Sequence, residues 1–182
     1  SSGFVAPYAE TPLDDELTSQ CIYEDILNSA TRYVYIMTPY LIIDSSMVNT
    51  LIHTAKKGVD VRLILPGVPD KKVIWDIGRS FYKQLMDGGV KIYQYRPGFV
   101  HSKVFVSDDR IATVGTINLD YRSLYLHFEN GTLLFKNEAV QEVVNDMQAT
   151  LKACDEIHKE NVKFGFIRNF ILSVFRIFAP ML

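Results

Sequence analysis

The sequence predicts an α/β domain with layered helices and a mixed central sheet, and three observations carry that prediction. Short β-prone runs alternate with helical periodicities through the first half of the chain. Beyond Gly98, two apolar runs follow each other across a short polar turn, as in a hairpin. Strands joined by helices are parallel and strands joined by tight turns are antiparallel, so one sheet holding both is mixed. The length of 182 residues suits one domain or one lobe of a larger protein, and 48% hydrophobic residues supply a core.

Residues 1–16 read as an extended lead-in, with Pro7, Pro12 and three consecutive acids at Asp14, Asp15 and Glu16. Those acids suit the positive end of a helix from about Leu17 to Ala30, whose buried side is expected to hold Ile22, Ile26, Leu27 and Ala30. Tyr33 to Thr38 is a continuous β-prone run, the pattern of a strand covered on both faces, closed by Pro39-Tyr40. Asp44 or Ser45 caps the next helix, with Met47, Val48, Leu51, Ile52 and Ala55 at helical spacing and Gly58 ending it.

Val59 to Leu65 is a second strand, stopped by Pro66-Gly67. A third helix starts at Asp70, places Ile74, Ile77, Phe81 and Leu85 on one stripe, and stops at Gly88-Gly89. Val90 to Tyr95 is a third strand and Arg96-Pro97-Gly98 a turn. The hairpin follows. Leu119 to His127 reads as a loop with large side chains, Phe128 to Phe135 as a strand, and Asn137 or Glu138 to about Cys154 as a helix. From Phe164 onward the chain is dominated by Phe, Ile and Leu, with Asn169, Ser173 and Arg176 as a narrow polar stripe. Such a segment packs on the domain or lies in a membrane interface, and it is too short and interrupted for a span. The organisation is then a lead-in over 1–16, a globular lobe over 17–160 and an apolar amphipathic segment over 161–182.

A net charge of −2 argues against a broad nucleic-acid-binding face. Cys21 and Cys154 are far apart and read as reduced, buried thiols. No CxxC, HExxH or calcium-loop pattern points to a metal, and no N-terminal targeting signal is visible.

The chemistry concentrates in HSKVFVSDDRIATVGTIN, residues 101–118. Read as a strand, it puts His101, Lys103 and Phe105 on one face and Val104 and Val106 on the other. A nucleophile or general acid and base then stands beside a fixed cation. A metal-free attack on a phosphodiester needs such a pair, with donors for the non-bridging oxygens and an acid for the leaving alcohol. Lys103 supplies the charge, while Asn118 and the Gly115-Thr116 backbone or hydroxyl supply neutral donors. Glu129 is placed to hold the second imidazole nitrogen and fix its tautomer. Asp108 falls in a polar turn, where Asp is common for its own sake. Arg122 reads as a second phosphate ligand or a structural partner, the latter favoured, and His127 as a weak candidate for substrate contact.

This stretch resembles the signature of the phospholipase D superfamily: His-x-Lys, four residues, Asp, six residues, then Gly-Ser/Thr-x-Asn. PYAETPLDDE, YVYIMTPYLIID, KKGVDVRLILPGVPDKK, GFVHSKVFV and VGTINLDYRSLYLHFENG look like the C-terminal half of the bacterial cardiolipin synthase branch. The resemblance implies a phospholipase D-like α/β/α fold and a catalytic set of His101, Lys103, Asp108, Asn118 and Glu129. It also implies phosphate binding by Lys103, Gly115, Thr116 and Asn118, with Thr116 where Ser is commoner. Family members build one site from two such motifs, and one is present here, since His53, His127 and His158 lack the x-Lys partner.

The chain is therefore expected to be one lobe, with little activity alone. Its partner would be an N-terminal lobe of the same enzyme or a second copy. His101 would act as general acid and then base, in a pocket walled by Phe99, Tyr121, Tyr125 and Tyr40. The implied reaction makes cardiolipin and glycerol from two phosphatidylglycerols through a phosphohistidine, without cofactor or nucleic acid, at the cytoplasmic face of a bacterial membrane. Two other readings stand beside it: a homodimeric phosphodiesterase or nuclease, and a non-catalytic module retaining the motif.

Overall fold

The computed structural model describes residues 2–162, together with Leu172 and Val174–Arg176. In chain order the elements are β1 (Phe4–Glu10), α1 (Thr18–Ser29), β2 (Tyr33–Met37), β3 (Leu41–Ile42), α2 (Ser45–Lys56), β4 (Asp60–Pro66), α3 (Lys72–Ser80), α4 (Tyr82–Asp87) and β5 (Lys91–Tyr95). Then come β6 (Val104–Ser107), β7 (Ile111–Gly115), β8 (Leu119–Asp120), α5 (Tyr121–Tyr125), β9 (Glu129–Phe135), α6 (Ala139–Lys152), β10 (Cys154–Ile157) and a 3-10 turn at Lys159–Asn161. Eight strands form one sheet in the order β1-β9-β7-β6-β2-β4-β5-β10, and β3 and β8 form a small parallel pair. Within the large sheet β2, β4 and β5 run parallel, while β6, β7, β9 and β1 are antiparallel to their neighbours. The α/β class and the mixed sheet are as the sequence predicts.

Alternation along the central strands splits the core into two layers of apolar contact. Val34, Ile36, Val61, Leu63 and Phe105 pack with Tyr23, Ile26 and Leu27 of α1 and with Met47 and Leu51 of α2. Met37, Ile64, Val104 and Val106 face the other way, onto Val140, Val144 and Met147 of α6. Phe105 stacks on Tyr23 with ring centroids 4.0 Å apart. Burying one such side chain is worth about 1.5–3 kcal/mol, so strands covered on both faces anchor the fold.

Several elements depart from the sequence reading. The lead-in contains the edge strand β1, paired along its length with β9. Pro7 disguises it, because a strand proline lacks a ladder donor, but an edge strand tolerates that. The acids at 14–16 do not cap α1: Glu10, only 3% exposed, accepts from the backbone N–H of Ser19 at 2.8 Å. Asp44 caps α2 as expected, accepting from the Met47 N–H at 2.8 Å. The third helix begins at Lys72 rather than Asp70 and is interrupted at Phe81, giving α3 and α4. The expected loop 119–127 contains β8 and α5, the latter capped by Asp120, which accepts from the Ser123 N–H at 2.8 Å. β10 continues the chain directly after α6 and closes the far sheet edge against β5. Cys21 is exposed rather than buried, and Cys154 is half-buried; both are free thiols.

The segment 161–182 lies mostly outside the described residues. Of those that are described, Leu172 is buried in the α1–α2 layer of the core. The Arg176 guanidinium sits 3.9 Å from the centroid of the Phe81 ring and donates to Gln84 Oε1 at 3.2 Å. No helix among the described residues is long and apolar enough to cross a membrane.

Candidate active site

His101 and Lys103 stand just before β6, not on it. Val100 is buried in the α6-side core and fixes the approach, while His101 is exposed. The chain turns so that Lys103 Nζ donates to the His101 carbonyl at 2.6 Å and lies 3.0 Å from each ring nitrogen. Lys103 is 9% exposed. Burial pulls its amine below the ordinary lysine range, with the carboxylates of Glu129 and Asp120 opposing. Phe99 lies 5.8 Å from the His101 ring, and Tyr40 lies 6.0 Å from Phe99, giving a short ladder of rings beside the imidazole.

Asn118, Thr116 and Glu129 meet on the next segment. Tyr23 donates to the Ile117 carbonyl at 3.1 Å and Leu119 N–H donates to Thr38 Oγ at 3.1 Å, pinning the stretch that carries Asn118. Asn118 Nδ2 donates to Ser123 Oγ at 3.0 Å, and Ser123 Oγ donates to Glu129 Oε1 at 3.2 Å. The Thr116 hydroxyl donates to the other Glu129 oxygen. Asn118 Oδ1 is buried with no hydrogen-bond partner among the described residues. An unpaired buried acceptor costs about 1–3 kcal/mol, so it marks a place where a donor is wanted.

Three expectations need correction. Asp108 is not at the site. It lies beyond the far end of β6, where its carboxylate accepts from the Thr31 N–H and hydroxyl at 2.8 Å each and from the Arg32 and Tyr33 N–H groups at 2.9 Å each. Glu129 does not hold His101. Its nearest imidazole is that of His127, whose Nδ1 lies 3.9 Å from Oε1, and no carboxylate of the described residues pairs with His101.

Nor are the Gly115 and Thr116 N–H groups available to a phosphate. Gly115 donates to the Lys103 carbonyl at 3.3 Å and Thr116 to the Asn130 carbonyl at 2.8 Å, both consequences of the antiparallel β6–β7–β9 pairing. Gly115 is required for a different reason: a Cβ there would sit 2.3 Å from the Asn130 carbonyl oxygen.

Ser123 was not singled out from sequence, although Asp120-x-x-Ser123 is the spacing of a capped helix start and would have revealed α5. A cavity of about 260 Å³ adjoins this cluster, lined by Tyr40, Ile42, Lys71, Ile74, Asn118 and Asp120, and by Tyr121, Arg122, Ser123, His127 and Glu129. Of the aromatic wall expected from sequence, Tyr40 and Tyr121 line it; Phe99 reaches it through Tyr40, and Tyr125 instead bonds Gln20 and Asp44. Among the described residues no group of three or more His, Cys, Asp or Glu is placed to hold a metal ion.

The arrangement offers an exposed imidazole touching a buried cation, with a polar cavity alongside, which is chemistry suited to an anionic ester. Comparison with known proteins agrees with the fold. NUC from Salmonella typhimurium, a phospholipase D family member, superposes with a TM-score of 0.72 at 13% identity, over 87% of this chain and 100% of that one. Phosphatidylserine synthase of Haemophilus influenzae superposes with a TM-score of 0.74 at 19% identity, over 98% of this chain and 48% of that one.

By sequence, an uncharacterized protein of Streptococcus mutans is 46% identical over 183 positions, covering 100% of this chain and 40% of that protein. Cardiolipin synthase 2 of Bacillus cereus is 36% identical over 91% of this chain and 32% of its own length. The chain thus spans between 32% and 40% of the length of these curated relatives. The family described as cardiolipin synthase, PLD-like domain, matches residues 23–151, and the chain belongs to that family, within the phospholipase D superfamily.

Proposed function

We propose that this chain is one lobe of a cardiolipin synthase, the second of two that share an active site. The observation that carries this reading is the contact of Lys103 Nζ with both ring nitrogens of an exposed His101, in a chain belonging to this family. The histidine of the other lobe attacks the phosphorus of one phosphatidylglycerol. His101 gives its proton to the departing glycerol oxygen, leaving a phosphatidyl-histidine. His101 then takes the proton from the terminal hydroxyl of a second phosphatidylglycerol. That oxygen attacks the phosphorus, the phosphorus–nitrogen bond breaks, and cardiolipin forms with the first histidine restored.

Lys103 neutralises charge on the non-bridging oxygens, where a fixed cation in a partly dry site acts without reorganisation. Asn118 donates beside it. Phospholipid substrates call for a membrane surface, and the reading sets the enzyme at the cytoplasmic face of a bacterial membrane.

The test is cardiolipin formation from phosphatidylglycerol vesicles by this chain, alone and combined with the amino-terminal lobe. Product only in the mixture, abolished by His101→Ala, is the expected result; equal turnover by the mixture and its His101→Ala variant would overturn the reading. One observation favours a second reading, a homodimeric phosphodiesterase: NUC is matched over 100% of its length, so a single lobe of this fold can be a whole chain. Robust phosphodiester hydrolysis by this chain alone, at a rate second-order in protein, would establish that reading instead.

A further inference from the structure

The cavity beside Asn118 carries groups for which transfer to and from the motif histidines has no use. Two are cations. Lys71, just ahead of α3, and Arg122, on α5, both line it, and neither takes part in an ion pair among the described residues. Arg122 is instead steadied by His127, with Nη2 3.0 Å from Nε2. A guanidinium held by an imidazole keeps its charge available, where one held by a carboxylate does not. Acceptors stand opposite them: the carboxylates of Asp120 and Glu129, and Asn118, whose buried Oδ1 lacks a donor among the described residues.

This mixture narrows the ligand. A simple anion would face two carboxylates, and a neutral polyol would leave two cations unmatched. A glycerol phosphodiester answers both sets, its phosphate to the cations and its hydroxyls to the acceptors. The size agrees: 260 Å³ falls below the about 300–1,000 Å³ of sites for drug-sized ligands and suits a small polar head group. The cavity also adjoins the row of rings that ends at His101. Tyr40 lines it and leads through Phe99 to His101 in ring contacts of 6.0 and 5.8 Å.

We propose that this cavity is the subsite for the acceptor head group, with Arg122 and Lys71 on the phosphodiester of the second phosphatidylglycerol and Asn118 and Asp120 on its secondary glycerol hydroxyl, which leaves the terminal hydroxyl to His101. The assignment rests on the transfer reading above. It makes Arg122 and Lys71 determinants of acceptor choice, and reverses the structural role that sequence favours for Arg122.

The test uses the combined lobes and compares two acceptors for the same phosphatidyl donor: phosphatidylglycerol, giving cardiolipin, and ethanol, which has neither phosphate nor diol. Arg122→Gln with Lys71→Gln is expected to lower the ratio of cardiolipin to phosphatidylethanol at least ten-fold, with Arg122→Lys recovering part of it. An unchanged ratio overturns the assignment, whether both products persist or both are lost together. Soluble glycerophosphoglycerol, varied as acceptor, should show at least a ten-fold rise in KM in the same double variant. A rise for that soluble acceptor with no change for vesicular phosphatidylglycerol would make the ligand a free diester and overturn the lipid assignment.

Calorimetric titration of the combined lobes gives a readout without turnover. Glycerophosphoglycerol should bind more tightly than inorganic phosphate or glycerol, and the double variant should lose the difference; equal binding of phosphate overturns the subsite. If the wild-type lobes make neither cardiolipin nor phosphatidylethanol, the transfer reading fails on its own, and the titration still decides the cavity.

Discussion

Asp108 gathers four hydrogen bonds into one 7%-exposed carboxylate, all from Thr31, Arg32 and Tyr33. Burial alone would raise its pKa, but the bonds from the Tyr33 N–H, the Thr31 hydroxyl and N–H, and the Arg32 N–H outweigh it and hold the acid below the usual carboxylate range. A depressed folded-state pKa contributes stability that is present above the unfolded value and is lost as pH falls through the folded one. Asp108→Ala is therefore expected to cost about 2–4 kcal/mol at neutral pH in urea unfolding, as loss of a buried charged hydrogen-bond group does. The gap from wild type should close as pH drops below the ordinary carboxylate range. At Lys103 the expectation is kinetic. Replacing it with Met should slow transfer by the combined lobes about 10²–10³-fold, the usual cost of one missing oxyanion donor, and Arg should not replace a point charge set against an imidazole. The motif spacing made the contact of His101 with Lys103 legible in the sequence. It left the partners of Glu129 and the part of Ser123 unread, because both depend on side chains brought together by α5 and β9.

Among the elements, β1 is the least legible, lying at the sheet edge beside β9 and β7. Their spacing is set by small residues. Gly115 faces Gly131 in the β7–β9 register, and a Cβ on Gly131 would come 2.4 Å from the Tyr8 ring of β1. Gly131→Ala should thus destabilise the lobe by about 1–3 kcal/mol through overpacking, measured as a lowered urea midpoint. Tyr8→Ala in the same chain should recover part of that loss, since the ring is what the methyl meets; strict additivity of the two changes would refute the contact. Pro7 hid β1, and nothing in the periodicity of Phe128–Phe135 revealed a third strand beside it. By contrast α2 was legible to its cap, because Asp44 and the apolar stripe behind it are local signals that no tertiary contact overrides.

At the scale of the whole molecule, the sheet is organised outward from β2. Parallel strands β4 and β5 lie on one side and the antiparallel set β6, β7, β9 and β1 on the other. Class and mixed pairing could be read from connection lengths alone, but both edges escaped, because β1 and β10 carry no buried run of their own. β1 covers β9 along seven residue pairs, from Phe4↔Phe135 to Glu10↔Glu129. Deleting residues 1–10 would bare that ladder and remove the Glu10 cap on α1. The truncated chain is expected to associate through the open edge, seen as a larger species in light scattering, and to lose the order of the Thr116–Glu129 cluster. A monodisperse, equally stable truncation would contradict the place given to β1.

The turn at Asp108 and Asp109 has a consequence for the motif as a length. Both residues adopt left-handed backbone, at φ of 55° and 56°. The four residues between Lys103 and Asp108 are β6 itself. The aspartate thus works as the far stop of a ruler: it clips the strand to the start of β2, and the strand's fixed rise then delivers Lys103 to its place beside the imidazole. Because side chains alternate every residue, adding or removing one position inside that interval would turn the lysine to the opposite face, however intact the chemistry of each residue. What the spacing holds is then a distance and a parity, and the acid at its end is the surveyor's mark from which both are measured.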